Sequence, residues 1–401
     1  MKLKDNHKLG LAKVIKDLDS SFFYYDVDGF KMHIKSMSKI KDDALKLWYA
    51  CKSNPASAII DAISDTSFGV DISSSGELSQ ALGNGIPGSR ILSTGPSKTK
   101  EYLKLLIKSN VEIIVLESIN QLIWLNEIIS ELNIKQKVLL RVQLEWGAGE
   151  SVLGGDQITP FGLDPDAWRK IDYTEFKNIN ILGFHVFQWG NILDLQNLES
   201  IWRKIIVEMN ALSKDLKINM TVIDLGGGIG IPYDKADKDI DFNDINDLVL
   251  KLKNEFSLDS IWLEPGRYCT GPYGHYFTQV TDRKTVREKE ILVLEGGINH
   301  LARPALTGNQ FPCESFRESN EASIEFHLHG PLCTALDKMG VYQLPEDINV
   351  GDWLVFSQVG AYGFTESMPY FLCHNLPAEV ILLDGHFSIL RDVQSSSDWL
   401  V

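Results

Sequence analysis

The chain has 401 residues, 44% of them hydrophobic and 23% charged, the balance of a folded globular protein with a sizeable buried core. Its 39 Lys and Arg stand against 54 Asp and Glu, a net charge of −15 that disfavours general binding to nucleic-acid phosphates. No apolar run approaches the roughly 20 residues of a membrane span, and the opening MKLKDNHKLGLAKVIKDLD is too charged for a secretory signal. Five cysteines (51, 269, 313, 333 and 373) are scattered, odd in number and without a Cys-x-x-Cys pair. They read as thiols of a soluble cytoplasmic protein, not as a disulfide frame or a metal site. The 31 glycines suggest an enzyme with many tight turns.

In chain order, FFYYDVD (22–28) reads first as a strand, free to join either of two domains. From about 45 to 270 short apolar runs alternate with helical stretches. The predicted strands are 47–51, 68–72, 90–94, 112–117, 137–144, 181–187, 221–226 and 260–265. The helical segments between them include 56–65, 76–83, 99–109, 119–132 and 198–216, the last with apolar residues at three- and four-residue spacing. Buried runs each followed by a helix imply a parallel sheet covered by helices. Eight such units favour a closed (β/α)8 TIM barrel over an open doubly wound sheet. After residue 270 strand-like runs are separated by Gly, Pro and charged turns, which predicts an antiparallel β domain.

In a barrel of this kind, functional residues sit where strands end at their C-terminal side. Lys52 follows the first such strand; it is either a snorkelling surface lysine or a desolvated amine able to form a Schiff base. Gly226, Gly227 and Gly228 follow the seventh strand, and they make either a tight turn or a cup whose N–H groups face a phosphate. The stretch IPYDKADKDIDFN after them reads as loop, unlike the helix a dinucleotide-binding turn requires. Glu264, with Gly266 and Arg267, closes the eighth strand as an ion pair or as a cofactor anchor. His185 and Phe187 alternate along the sixth, as barrel filling or cofactor contacts. Lysine, glycine cup, acid and arginine together are what pyridoxal 5′-phosphate needs: an amine for its aldehyde, a phosphate seat and a carboxylate for its ring nitrogen.

The motifs YACKSNP (49–55), FGVDISSSGEL (68–78), GFHVFQWGN (183–191), DLGGGIG (224–230), EPGRY (264–268), ARPAL (302–306), GPLCTALD (330–337) and GAYGF (360–364) resemble the fold-type III pyridoxal-phosphate decarboxylases, which include diaminopimelate and ornithine decarboxylases. They occur in family order across about four-fifths of the chain. The resemblance implies an alanine-racemase-like barrel over 27–272 and a β domain formed by 1–26 and 273–401. It also implies a head-to-tail homodimer with shared active sites. Carried over residue by residue, Lys52 holds the cofactor aldehyde with Asp71 beside it. Gly226, Gly227, Gly228, Gly266 and Arg267 hold the phosphate. Glu264 pairs with the ring nitrogen, Tyr362 contacts the cofactor, and Cys333 of a partner subunit returns the proton after CO2 leaves.

Three departures from the family pattern bear on substrate. Phe187 stands where the family usually has a histidine stacked on the cofactor, so aromatic stacking is kept and a side-chain hydrogen bond is lost. Thr307 and Thr334 stand where diaminopimelate decarboxylases place a tyrosine and a glutamate, while Arg303 remains. An arginine for a carboxylate, without the acid for a distal ammonium, resembles the subgroup that decarboxylates citryl-amino acids such as N-citrylornithine in carboxylate siderophore biosynthesis. The glycine-rich stretch 146–160 reads as a lid over a bulky substrate or as plain disorder. The runner-up is diaminopimelate decarboxylase of lysine biosynthesis. An alanine racemase fits less well because of the acid in EPGR, and a non-catalytic regulator or cofactor carrier fits poorly with Lys52, Cys333 and a β domain all present.

Overall fold

The computed structural model describes residues 3–38, 44–146, 158–234 and 236–400. The chain packs as two compact units. One holds the residues up to Met32, Tyr233–Ala236 and those from Thr270 onward; the other holds His33–Pro232 and Asp237–Cys269.

The first strand, β1 (Phe22–Asp26), belongs to the former unit. In the latter, eight parallel strands among the described residues close a barrel in chain order. They are β2 (Leu45–Ala50), β3 (Gly69–Ile72), β4 (Ile91–Ser93), β5 (Ile113–Leu116), β6 (Gln136–Arg141), β7 (Ile179–His185), β8 (Val222–Asp224) and β9 (Ser260–Leu263). β9 pairs back onto β2, so the sheet has no edge. Trp48, Leu92, Ile113, Val115, Leu139, Val222 and Trp262 form one buried apolar cluster on these strands. Gly69 pairs with Trp48 across β2 and β3, and a Cβ there would lie 2.0 Å from the indole. The glycine makes room for the barrel's largest filler.

The expected helices form where apolar spacing and caps agree. Ser74, Thr99, Ser118 and Asp194 each accept a backbone N–H at the start of their helix. The longest, Leu195–Leu216, buries Leu198, Trp202, Ile205, Ile206, Met209, Leu212 and Leu216 along one stripe. Residues 236–241 carry no regular element, and Asp241 then caps the helix Phe242–Phe256. β6, β7, β8 and β9 stop two or three residues short of their expected ends; in the first three, Val142, Leu144, Val186 and Leu225 continue the apolar runs into buried loops. Of the expected lid, residues 147–157 lie outside the described residues.

The β unit adds β10 (Gly274–Val286), β11 (Lys289–Leu294), β12 (Cys313–Ser315), β13 (Ser323–His329), β14 (Lys338–Pro345), β15 (Trp353–Ser357), β16 (Ala378–Leu383) and β17 (His386–Arg391). Their sheet runs β14-β13-β11-β10-β1-β16-β17, with β15 on β10 and β12 on β15. Most pairings are antiparallel as expected, but β1 with β16 and β11 with β13 are parallel, so the sheet is mixed. The unit also contains an unexpected helix, Asp5–Leu18, in which only His7 and Leu11 are fully buried, too few for a clear periodic signal. Leu11 packs with Phe22, Tyr24, Phe277, Val355 and Val380 in the core of this unit. Among the described residues no helix is long and apolar enough to cross a membrane.

Gly69→Ala is expected to destabilise the protein by about 1–3 kcal/mol through overpacking against Trp48. Gly76→Ala, whose Cβ would meet nothing closer than 3.7 Å inside a helix, should be neutral or stabilising. Denaturant melts of the two variants make the comparison; equal effects would show that the Trp48 contact does not limit the site.

Candidate active site

Closing the barrel gathers the C-terminal ends of its strands at one mouth. Each strand brings an ionisable side chain to its end or to the following turn: Lys52, Asp71, Lys98, Glu117, Arg141, His185, Asp224 and Glu264.

Lys52 lies in a short turn, Cys51–Ser53, just past β2. Its Nζ donates to Asp71 Oδ2 at 2.9 Å, and its side chain is 40% exposed against 1% for Asp71. Of the two readings, snorkelling or desolvated, the lysine is half-exposed but held by a buried acid. Asp71 Oδ1 accepts a second bond from Thr94 Oγ1 at 2.6 Å. Burial and then the charge of Glu264 push the Asp71 carboxyl up, while Lys52 and Thr94 pull part of the way back.

At the ends of β7 and β9, His185 Nε2 faces Glu264 Oε1 at 3.1 Å, and both side chains are buried. Burial would raise Glu264; the charge and hydrogen bond of His185, with Lys52 and Arg141, override it and bring the carboxyl down to about 2. Asp224 is wholly buried; its Oδ1 accepts the Gly226 N–H at 2.9 Å, and its Oδ2 has no partner among the described residues. Burial, then the Glu264 charge, push Asp224 well up. One ligand-type atom from each of His185, Asp224 and Glu264 falls within 4.8 Å of the others. Two acids in one dry volume cannot both ionise cheaply, and here the pair divides, with Glu264 held down and Asp224 pushed up.

Further round, Lys98 donates to Gly95 O at 2.6 Å and lies 3.8 Å from Glu117, both side chains 1% exposed. Arg141 meets the same Glu117 oxygen at 3.0 Å. Burial brings the Lys98 ammonium down to about 8, against the pull of Glu117. Motif reading missed Lys98, Glu117, Arg141 and Asp224. The strand-end rule that selects Lys52 and Glu264 would have found them, had it been applied to every strand.

The glycines sit where no side chain fits. Gly226 (φ 65°) would put a Cβ 2.7 Å from the Phe187 ring. Gly228 (φ 99°) would meet the Trp189 carbonyl at 2.8 Å, and Gly227 the Glu264 carbonyl at 2.9 Å. Gly266 would press on Ser53 at 2.8 Å, beside the Lys52 turn. The N–H groups of Gly227 and Gly228, both half-buried, have no hydrogen-bond partner among the described residues. Phe187 lies beyond the end of β7, so it shares no strand face with His185; it packs against this glycine turn instead. Arg267 begins a short helix, Arg267–Thr270.

In the β unit, Arg303 opens the helix Arg303–Thr307 and donates from Nη1 to Glu366 at 2.7 Å. Its guanidinium also stands 4.8 Å from the ring centre of Tyr362, which has φ 55°. The Thr307 hydroxyl donates to the Arg303 carbonyl at 2.9 Å, and Thr334 Oγ1 accepts the Leu336 N–H at 3.2 Å. Both expected substrate-binding hydroxyls thus serve their own backbone. Cys333 is exposed in the turn between β13 and β14, not on a strand.

The family model of the pyridoxal-dependent decarboxylases, pyridoxal binding domain, matches residues 28–271. The chain belongs to this family. It is 27% identical to a diaminopimelate decarboxylase of Aquifex aeolicus, over 98% of this chain and 93% of that protein. It is 28% identical to the 2-[(L-alanin-3-ylcarbamoyl)methyl]-2-hydroxybutanedioate decarboxylase of Staphylococcus aureus, over 90% and 93%. A crystal structure from Aquifex aeolicus superposes with a TM-score of 0.85 at 26% identity, covering 97% of this chain and 92% of that one. The decarboxylase is therefore a carboxy-lyase of amino-acid type whose cofactor is pyridoxal 5′-phosphate.

The Asp224 assignment has a pH signature. Because the folded carboxyl is pushed above the unfolded value of about 4, this group lowers stability as pH rises from there toward its folded pKa. Asp224→Asn removes that loss, and its stability relative to the parent decarboxylase should improve as pH rises from about 4. Denaturant melts across that range measure it; a variant that worsens with rising pH would mean an ionised, paired Asp224.

Proposed function

We propose that this decarboxylase removes the α-carboxylate of an amino acid that carries a distal carboxylate, with a citryl-amino acid such as N-citrylornithine as the preferred substrate in siderophore biosynthesis. The observation that carries the chemistry is the barrel mouth, which combines an amine, partnerless N–H groups and an acid kept ionised. Bound there, pyridoxal phosphate supplies the electron sink for the pair left when the Cα–carboxylate bond breaks. Lys52 is the residue to hold its aldehyde, with Asp71 fixing the ammonium. The free N–H groups of Gly227 and Gly228, with Arg267, suit a phosphate. Glu264 remains a carboxylate for the ring nitrogen, oriented by His185, and Phe187 offers an apolar ring face. Cys333 Sγ returns a proton to the α-carbon once CO2 has left.

Cys333 comes in this reading from a second copy of the chain. Supporting it, the β unit exposes Leu306, Leu336, Tyr370 and Phe371 in the segments that flank Arg303, Cys333 and Tyr362. The scattered free thiols suit a cytoplasmic enzyme.

For the substrate, Arg303 uses only Nη1 on Glu366 among the described residues, leaving Nη2 and Nε for a carboxylate. The Staphylococcus aureus relative acts on a hydroxybutanedioate joined to alanine through an amide, which has the required distal carboxylates. Diaminopimelate is the second reading, and one observation favours it. Glu366 places beside Arg303 an acid of the kind that the threonine at position 334 had seemed to remove.

Borohydride reduction of the cofactor-loaded enzyme should fix the pyridoxyl group on Lys52, as read by peptide mapping. A label on another lysine would sink the site assignment. Release of CO2 from N-citrylornithine, citryl-diaminopropionate and diaminopimelate then ranks the substrates by kcat/KM, and a clear preference for diaminopimelate would promote the second reading. Arg303→Ala should lower kcat/KM for the best of them by on the order of 10²-fold, the loss of a desolvated charge pair.

A further inference from the structure

We propose that Asp337 is a positioning residue for the proton-return step: its carboxylate ties the turn carrying Cys333 to the segment leading to Arg303. The proposal rests on the reading of Cys333 as the proton donor.

Asp337 is 1% exposed and ends the turn between β13 and β14. Its Oδ2 accepts the N–H of Leu332, the residue before Cys333, at 2.7 Å. Its Oδ1 accepts the N–H of Ile298 at 2.8 Å. Ile298 is a junction. Its carbonyl accepts the Met368 N–H at 3.0 Å, which fixes the segment after Tyr362 and Glu366. Its side chain packs with Ala302 and Leu332, next to Arg303 and Cys333 in sequence. The backbone of Asp337 closes the same turn, donating to Thr334 O at 3.2 Å and accepting from Gly330 N at 3.3 Å.

The surrounding sequence is shaped to this carboxylate. A Cβ on Gly297 would lie 2.1 Å from Asp337 Oδ1, and one on Gly330 would lie 2.5 Å from both carboxylate oxygens. Two glycines therefore leave room for one acid, which a spacer would not require. Burial pushes the Asp337 carboxyl up and the two N–H donors pull it back, as expected of an acid whose polar partners are backbone groups. Proton delivery to one of two nearby carbons depends on sub-ångström placement of the donor, so the tether bears on fidelity more than on turnover.

The test compares Asp337→Ala and Asp337→Asn with Val355→Ala, a core truncation in the same unit whose side chain belongs to a different cluster. Asn keeps one acceptor and turns an NH2 toward the other N–H, so it should fold and loosen a single tether. In cofactor-free protein, iodoacetamide labelling read by peptide mapping should show the Cys333 rate changed at least 10-fold in Asp337→Ala. The exposed Cys373 should be unaffected, and so should Val355→Ala. In loaded enzyme, the share of carbonyl product should rise at least 10-fold, with Asp337→Asn in between; it forms when the proton goes to the cofactor and the amine nitrogen stays behind. Labelling and product ratio that shift no more than in Val355→Ala would overturn the proposal. Should Cys333→Ala leave turnover and product ratio intact, the donor reading fails, while the labelling result still decides whether Asp337 holds the turn.

Discussion

Everything at the barrel mouth follows from one constraint: eight strand ends that carry ionisable groups must share a single, largely dry volume. Charge of one sign cannot accumulate there without a heavy desolvation penalty. The chain answers with alternation. Lys52 is followed round the barrel by Asp71, Lys98, Glu117 and Arg141, and neighbours of opposite sign meet at 2.9, 3.8 and 3.0 Å. The alternation breaks at the last two strands, where Asp224 and Glu264 are both acids. His185 resolves the break on one side by its bond to Glu264, and the upward push on Asp224 resolves it on the other. The result sets a carboxylate held down, Glu264, on the strand next to that of the tethered amine, Lys52.

How much of this the sequence discloses depends on how local the signal is. The eight barrel strands were legible because each is a short, mainly apolar run, and Lys52, His185 and Glu264 were legible because they stand at or just past the ends of such runs. The helix Asp5–Leu18 was not, since its contacts with Phe22 and Tyr24 arise only once the sheet exists. Phe187 was misplaced for the same reason: alternation along 181–187 assumed a strand that ends at His185. Between tight turn and phosphate cup the glycine motif left both readings open, and the fold puts crowded Cα positions and two N–H groups without a partner among the described residues in one loop.

The distal end of the site carries the instructive surprise. Sequence comparison with relatives treats positions 307 and 334 as the places where substrate polarity is set. In the fold, their hydroxyls are occupied by the backbone, and the acid next to Arg303 arrives from Glu366, some sixty residues away along the chain. Position-by-position transfer cannot see such a replacement, because the function of an acid depends on where its oxygen lies and not on which strand supplies it. Arg303 is thereby held between a carboxylate and the Tyr362 ring, a fixed orientation that would lower the entropy cost of the proposed ligand carboxylate joining it.

The position of β1 in its sheet has a consequence for how the protein is made. This strand is synthesised before the whole barrel, yet its neighbours are β10, more than 240 residues later, and β16, more than 350 residues later. Strand pairings that close such long stretches of chain are slow to form. The barrel can complete its ladder as soon as β9 has been synthesised, whereas β1, with its row of four aromatic residues, must wait for β10, which follows the whole barrel, and for β16, later still. During that interval the segment is an exposed, apolar strand edge, the kind of surface that chaperones retain and that aggregates when they are scarce.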